Sequence, residues 1–136
     1  IICSAFLSRL GILGDLLQRN PAWIDRTEEV RWLIEHGRRP DDQPKGGFRG
    51  YLARVEKIAP LHEAHGIETL ALAGVEPAIS AGDENFNRLY GTQRERWLDL
   101  LYSVSTEATT VGASRHLLYV GRKPNPPPPH SETHDP

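Results

Sequence analysis

Two stretches of the chain contain histidines and acidic residues that could bind a metal. In the first, HEAH, His62 and His65 are three residues apart. Zinc hydrolases of the H-E-x-x-H type need two histidines four residues apart on one helix face, and a third ligand. We therefore predict that HEAH lies on a solvated helix face. The second stretch is in the tail, where ordering the chain around a metal would cost entropy; its residues are His130, Glu132, His134 and Asp135.

The other reactive residues indicate neither a nucleophile nor a phosphate-binding loop. Cys3, the one cysteine, lies in an apolar run, which predicts a buried and inert thiol. Gly11 and Gly14 lie in a predicted helix and lack the spacing of a dinucleotide-binding turn; they weaken the helix unless they let another segment approach closely. His116 begins a predicted strand, where a lone histidine is typical of a structural role.

The composition is that of an ordinary globular domain. The 136 residues, 38% hydrophobic and 25% charged, are enough for one core. A net charge of -2 and a pI near 6.3 predict no surface for nucleic acid or for an anionic membrane. No apolar stretch reaches the ~20 residues of a membrane span. A single cysteine is typical of a reducing compartment, so we expect a cytoplasmic protein.

The first third of the chain predicts a strand and two helices. The strand is the apolar run IICSAFL, which Ser8 and Arg9 interrupt; it is apolar on both faces and therefore expected to be buried in a sheet. Ser8 is placed to cap the helix that follows. Asp25 is the predicted cap of a second helix, which Gly37 ends in the left-handed conformation. The buried stripe predicted for this helix is Val30, Leu33 and Ile34.

The middle of the chain predicts a surface loop from Arg38 to Gly47, then a helix and a second strand. The helix is built on Val55, Ile58 and Leu61, and Pro60 requires it to start late or to bend. The strand is IETLALAGVE, which is again apolar on both faces and expected to be buried.

The last third predicts a long helical region and a final strand. Gly91 divides the helical region, and Thr92 with Glu95 forms a capping box for a new helix. The final strand is SRHLLYVGRK. After Pro124 the tail NPPPPHSETHDP, residues 125–136, is expected to be extended and disordered. Strands that alternate with helices predict an α/β layer fold.

Three segments agree in order and spacing with one known family. They are the opening IICSAFLSRLGILGDLL, the middle FRGYLARVEKIAPLHEAHGIETLALAGVE, and the ending GASRHLLYVGRKP. Together they resemble the C-terminal half of class I S-adenosylmethionine-dependent methyltransferases of the small-molecule type. The matching positions in the middle segment are Tyr51, Glu56, Glu63 and Gly66–Ile67. The resemblance covers Ile1 to about Pro124.

The resemblance implies an α/β fold that is the C-terminal half of a seven-stranded Rossmann-like methyltransferase sheet. In that sheet the last strand is antiparallel and lies between the fifth and sixth. Residues 1–124 would be the C-terminal part of the methyltransferase domain, beginning inside the fifth strand. The cofactor, S-adenosyl-L-methionine, would be bound mainly by the missing N-terminal half. No cofactor-binding, metal-binding or catalytic residue is therefore carried over to this chain.

The resemblance also implies the acceptor side of the active site. Methyl transfer from a sulfonium is an in-line displacement, in which the enzyme positions the acceptor and excludes water. A general base is needed only if the acceptor must lose a proton, and none is identified. Phe48 and Tyr51 are the candidates for contact with the sulfonium, with a core role equally compatible. The residues implied to contact the small-molecule acceptor are Phe6, Ser8, Arg9, Phe48, Arg49 and Tyr51.

Two other functions fit the same sequence. One is a non-catalytic interaction module that pairs an exposed strand edge with a partner. The other is the second half of a nucleotide-dependent oxidoreductase, against which the late antiparallel strand argues. We expect a methyltransferase fragment to be inactive alone and to self-associate, because unpaired strands invite association. An upstream reading frame with a strand, a glycine-rich turn and a helix would favour the enzyme.

Overall fold

The protein is a mixed α/β structure, as the alternating pattern predicts. A computed structural model describes residues 1–14, 21–39, 50–76 and 83–124. The strands are β1 (Ile2–Ser8), β2 (Leu52–Ala53), β3 (Glu68–Val75) and β4 (His116–Arg122). The helices are a 3-10 helix (Pro21–Arg26), α1 (Thr27–His36), α2 (Val55–Glu63), α3 (Asp83–Asn87), α4 (Gly91–Val104) and α5 (Ala108–Ala113). None of the helices in these ranges has both the length and the apolar character to cross a membrane.

The four strands form one mixed sheet in the order β2-β1-β4-β3. β1 and β2 are parallel and pair at their carboxyl ends, where Leu7 faces Leu52 and Ser8 faces Ala53. β4 is antiparallel both to β1 and to β3 and lies between them. β1 and β3 consequently run in the same direction, and the final strand returns between them.

One face of the sheet carries the core. Leu117 and Tyr119 of β4 are at most 1% exposed. They pack with Ala53, with Ile58 of α2 and with Val111 of α5. We call this side the covered face. Because neighbouring residues of a strand point to opposite sides, the next residues along β4 belong to the other side, the open face.

The open face corrects two predictions about β1. Cys3 and Ala5 of this face are exposed, so the strand is buried on one side only, and the thiol is not buried. The physical reason is that α2 and α5 both pack on the covered face. A short run that is apolar on both faces is therefore compatible with one covered side as well as with two.

β3 is an edge strand and not the buried strand that its apolar residues predict. Leu70 is 45% exposed and Val75 is 43% exposed. Among the strands that the structure describes, it pairs only with β4, and its register is irregular between Thr69 and Ala71. Its outer edge is partly occupied, because the Gly74 N–H donates to the Ser105 carbonyl at 2.8 Å.

Two glycines allow the chain to approach Ser114, which is fully buried. A Cβ atom on Gly74 would overlap the Ser114 hydroxyl oxygen, and one on Gly11 would overlap the Ser114 carbonyl. The Ser114 hydroxyl donates to the Thr110 carbonyl at 2.6 Å. Of the two roles open to these glycines, close approach therefore holds at Gly11, whereas no atom of the described residues lies within 4 Å of a Cβ position on Gly14.

The helix ends confirm some predictions and correct others. Gly37 has a φ of 73° and its N–H donates to the Leu33 carbonyl at 2.8 Å, as predicted for the end of α1. The prediction that Asp25 caps this helix is wrong, because the 3-10 helix runs through it and Arg26 precedes α1 without a side-chain cap. Gly91 does separate α3 from α4.

Two further helix predictions are wrong in detail. Tyr90 precedes α4 without a side-chain cap, so Thr92 does not form the expected capping box. α2 begins at Val55 and includes Pro60, so the helix does not start late. Because Pro60 has no N–H, the carbonyl of Glu56, four residues before it, lacks its helical donor. Leu61 is 53% exposed and does not belong to the buried stripe.

Candidate functional site

A cavity of about 220 Å³ opens at the carboxyl ends of β1 and β2. In sheets with parallel strands this is the edge at which ligands usually bind. The first turn of α2 and the end of α5 form its other walls. Its lining residues are Ser8, Arg9, Leu10, Ala53, Arg54, Val55, Glu56 and Gly112. The volume is below the ~300–1,000 Å³ of sites for drug-sized ligands, so the cavity suits a small molecule.

Ser8 places a buried hydroxyl at this cavity. The residue is 1% exposed, and its oxygen accepts the Gly11 N–H at 3.2 Å. This bond closes the turn of residues 9–11, which precedes the helical residues 12–14, so Ser8 does not cap the helix directly as predicted. Within the described ranges no acceptor bonds to the hydroxyl proton of Ser8. The proton is thus available to a molecule in the cavity.

Arg54 and Glu56 place opposite charges at the cavity. Arg54 has an extended backbone at the N-cap of α2, which has no side-chain cap. Its guanidinium lies 3.6 Å from a Glu56 carboxylate oxygen, and both side chains are about half exposed. That separation is longer than a normal charge-assisted hydrogen bond of about 2.7–2.9 Å. The pair is therefore loose, and either group can turn towards a ligand.

Arg9 lines the cavity but its guanidinium bonds elsewhere. It donates to the Leu52 carbonyl at 3.1 Å, the Glu35 carbonyl at 2.8 Å and the Tyr51 hydroxyl at 2.8 Å. Glu35 lies in the last turn of α1, where the carbonyl groups carry the negative end of the helix dipole. This arrangement explains how a cation that is 5% exposed is accommodated. Its principal role is to join α1 to β2.

The structure brings together only part of the predicted acceptor side. Ser8 and Arg9 reach the cavity, whereas Tyr51 is exposed and its ring lies under the Arg9 guanidinium at 5.4 Å. Phe6 lies on the covered face and packs against the core. Phe48 and Arg49 lie outside the described residues.

Sequence reasoning missed Arg54 as a residue of the cavity and used Glu56 only for the resemblance. Their signal was a position at the start of a predicted helix. The strand before them, β2, has two residues and gives no periodicity, so the sequence did not place this junction at a carboxyl edge, where ligands bind.

His62 corrects the prediction of a solvated helix face. It is 9% exposed, and its ring stacks on Tyr119 with the centroids 3.7 Å apart. Nδ1–H donates to the Ile58 carbonyl at 2.8 Å, and Nε2 lies 3.2 Å from the Ser4 hydroxyl oxygen. Burial is tolerated because both nitrogens have partners. His65 is exposed as predicted, and the described ranges contain no group of three metal-ligating side chains.

His116 bonds to Glu76 on the open face. Its Nδ1 lies 2.8 Å from a Glu76 carboxylate oxygen, and Arg115 lies 3.6 Å from the same oxygen. Glu76 has a φ of 58°, which is uncommon for a residue other than glycine. His116 pairs with Leu7, and paired residues share a face of the sheet. Ser8, the next residue of β1, points to the opposite face, so this cluster lies across the sheet from Ser8 and the cavity.

Comparison with known proteins gives no family for this chain. It matches no protein-family model and no curated protein sequence. Two structural observations bear on its function beside the sequence resemblance: the position of β4 in the sheet and the cavity at the carboxyl ends of β1 and β2.

Proposed function

We propose that this chain is the acceptor-binding part of an S-adenosylmethionine-dependent methyltransferase that acts on a small molecule in the cytoplasm. The observation that carries the proposal is the antiparallel β4 between β1 and β3. The resemblance implies this arrangement for the last strand between the fifth and sixth. It does not account for β2, which pairs with β1 on the side away from β4.

The cavity supports a role in binding the acceptor. At about 220 Å³ it fits a small molecule and is too small for a cofactor of drug-like size. When bound to a complete enzyme, S-adenosylmethionine would supply an electrophilic methyl group on a sulfonium. The residues of this chain would orient the acceptor through Ser8 and Arg54 and exclude water with Leu10 and Val55. Such positioning is the main contribution to an in-line transfer.

The proposal is tested by calorimetric titration with S-adenosylhomocysteine. One sample is this chain, and the other is the product of the complete reading frame that contains it. Binding by the second sample alone would support the proposal. If neither sample binds, the methyltransferase proposal is wrong, and if this chain binds alone, the cofactor site has been placed in the wrong part of the protein.

The interaction module receives less support, because both edges of the sheet are partly occupied. At β3 the Gly74 N–H bonds to Ser105, and at β2 the Leu52 N–H bonds to the Gly37 carbonyl at 2.6 Å. Natural edge strands are protected in comparable ways. Self-association of the chain stays a prediction, which sedimentation velocity over a range of concentrations would check.

A further inference from the structure

Three kinds of hydrogen-bond donor belong to the residues that line the cavity. They are the Ser8 hydroxyl, the Arg54 guanidinium and the N–H groups in the first turn of α2, which has no side-chain cap. We propose that the cavity binds the carboxylate of a small anionic molecule. The identification of that molecule as the methyl acceptor rests on the proposed function, but the binding itself does not.

Ser8 gives the strongest reason for a polar ligand. A hydroxyl in a site that is 1% exposed usually satisfies both its donor and its acceptor capacity. Here the oxygen accepts from Gly11, while the proton has no acceptor among the residues of the described ranges. A carboxylate oxygen would complete this bonding and would gain a donor that is already oriented by the turn of residues 9–11.

Arg54 and α2 give the reason for a negative charge. The first N–H groups of a helix have no intrahelical acceptor, and the helix dipole is positive at this end. α2 has nine residues, and its first two, Val55 and Glu56, line the cavity. Arg54 adds a planar fork of donors that matches a carboxylate.

Among the described residues that line the cavity, Glu56 is the one acidic side chain, and it opposes an anion. Its distance of 3.6 Å from Arg54 and its half-exposed side chain mean that it can leave the guanidinium without losing a hydrogen bond. A bound carboxylate would replace Glu56 at Arg54. Glu56 is therefore a competitor, and neutralising it should strengthen binding of the ligand.

The apolar part of the lining limits the rest of the ligand. Leu10, Ala53 and Val55 form an apolar wall beside the polar groups. With the small volume, this wall suits a carboxylate on a compact apolar body. Benzoate has this form, and benzamide is a neutral molecule of nearly the same shape.

The experiment is an NMR titration of the ¹⁵N-labelled chain with sodium benzoate, benzamide and inorganic phosphate. We expect benzoate to shift the amide signals of Val55 and Glu56, and the effect to weaken as salt is added. Arg54→Gln should weaken benzoate binding by roughly fivefold or more, and Glu56→Gln should strengthen it by roughly twofold or more. Benzamide and phosphate should not produce these shifts.

The matched controls are Arg31→Gln and Glu28→Gln. These two residues form an exposed ion pair three residues apart in α1, as Arg54 and Glu56 do two residues apart at α2. Neither control should change the affinity for benzoate. Thermal melts of all four variants establish that they are folded.

Three results would overturn the proposal: equal shifts with benzamide, unchanged benzoate affinity in Arg54→Gln, or binding of phosphate without benzoate. The titration needs no cofactor, so its outcome is independent of S-adenosylhomocysteine binding. Benzoate binding without S-adenosylhomocysteine binding in any sample would support the carboxylate site and contradict the methyltransferase proposal. S-adenosylhomocysteine binding without benzoate binding would support the methyltransferase proposal and contradict a carboxylate acceptor.

Discussion

Arg9 illustrates how a residue predicted for a binding site can have a structural role. Its three bonds reach partners 26 to 43 residues away in the sequence. Two of the partners are backbone carbonyls, and a carbonyl has no signature in the sequence. The sequence around Arg9 therefore does not show which groups its guanidinium binds.

We expect Arg9→Met to lower the free energy of unfolding by about 2–4 kcal/mol. The substitution removes three hydrogen bonds and leaves the Leu52 and Glu35 carbonyls without their donor. Urea unfolding measures the change. Arg31→Met is the control, because Arg31 forms only an exposed ion pair, and its effect should stay within about 0.5 kcal/mol. Equal effects of the two substitutions would contradict the structural role of Arg9.

Gly74→Ala is a second residue-scale prediction. The new Cβ would overlap the Ser114 hydroxyl, which is fully buried, so we expect a loss of about 1–3 kcal/mol in unfolding free energy. Gly14→Ala is the matched substitution in open space and should be neutral or stabilising by up to about 1 kcal/mol. Denaturant unfolding of both variants measures these changes. An unchanged free energy of unfolding in Gly74→Ala would show that the packing around Ser114 adjusts to the added methyl group.

Residue-scale predictions succeeded where local backbone geometry decides the outcome. Gly37 at the end of α1 follows from a rule that involves only a few consecutive residues. The burial predicted for Cys3 and the exposure predicted for His62 were wrong, because exposure depends on which elements cover a strand or a helix face. The open face exposes Cys3, and stacking on Tyr119 buries His62.

At the scale of elements, β4 connects the two sides of the sheet. Its residues alternate between the core and the open face, with Leu117 at 1% exposure and Leu118 only partly buried. The sequence predicted this strand and its alternation correctly, because seven consecutive residues carry the pattern. It did not predict β2 as a strand, since two residues are too few for any periodicity.

The alternation of β4 predicts unequal effects of the same substitution at neighbouring positions. Leu117→Ala should lower the free energy of unfolding by about 2–5 kcal/mol, because it opens a cavity in the core. Leu118→Ala removes the same atoms from a partly exposed site and should cost clearly less. Equilibrium unfolding of the two variants provides the comparison. Similar losses would mean that the open face is covered as fully as the core.

At the scale of the whole molecule, stability is unevenly distributed. β4 lies between two strands and carries two core residues, whereas α4 has fourteen residues and none of them is buried. We expect native-state hydrogen exchange to show α4 opening at a lower free energy than β4. The amides of Leu117 and Tyr119 serve as the internal reference. Equal protection in both elements would show that α4 unfolds only with the whole protein.

The order of the strands is the part of the fold that the residues alone could not provide. Periodicity identifies strands but gives no neighbours, and the antiparallel position of β4 was expected only through the resemblance. The candidate cavity was equally out of reach, because it is formed by Ser8, Arg54 and Gly112, which are far apart in the sequence.

The bond between Gly37 and Leu52 has a consequence for engineering the protein. The Leu52 N–H donates to the Gly37 carbonyl, so the two ends of segment 38–51 are held side by side. A chain whose ends already meet can be lengthened at small entropic cost, since each doubling of a flexible loop costs only about 0.6 kcal/mol. A fluorescent domain inserted between these two residues should therefore leave α1 joined to β2 and the protein intact.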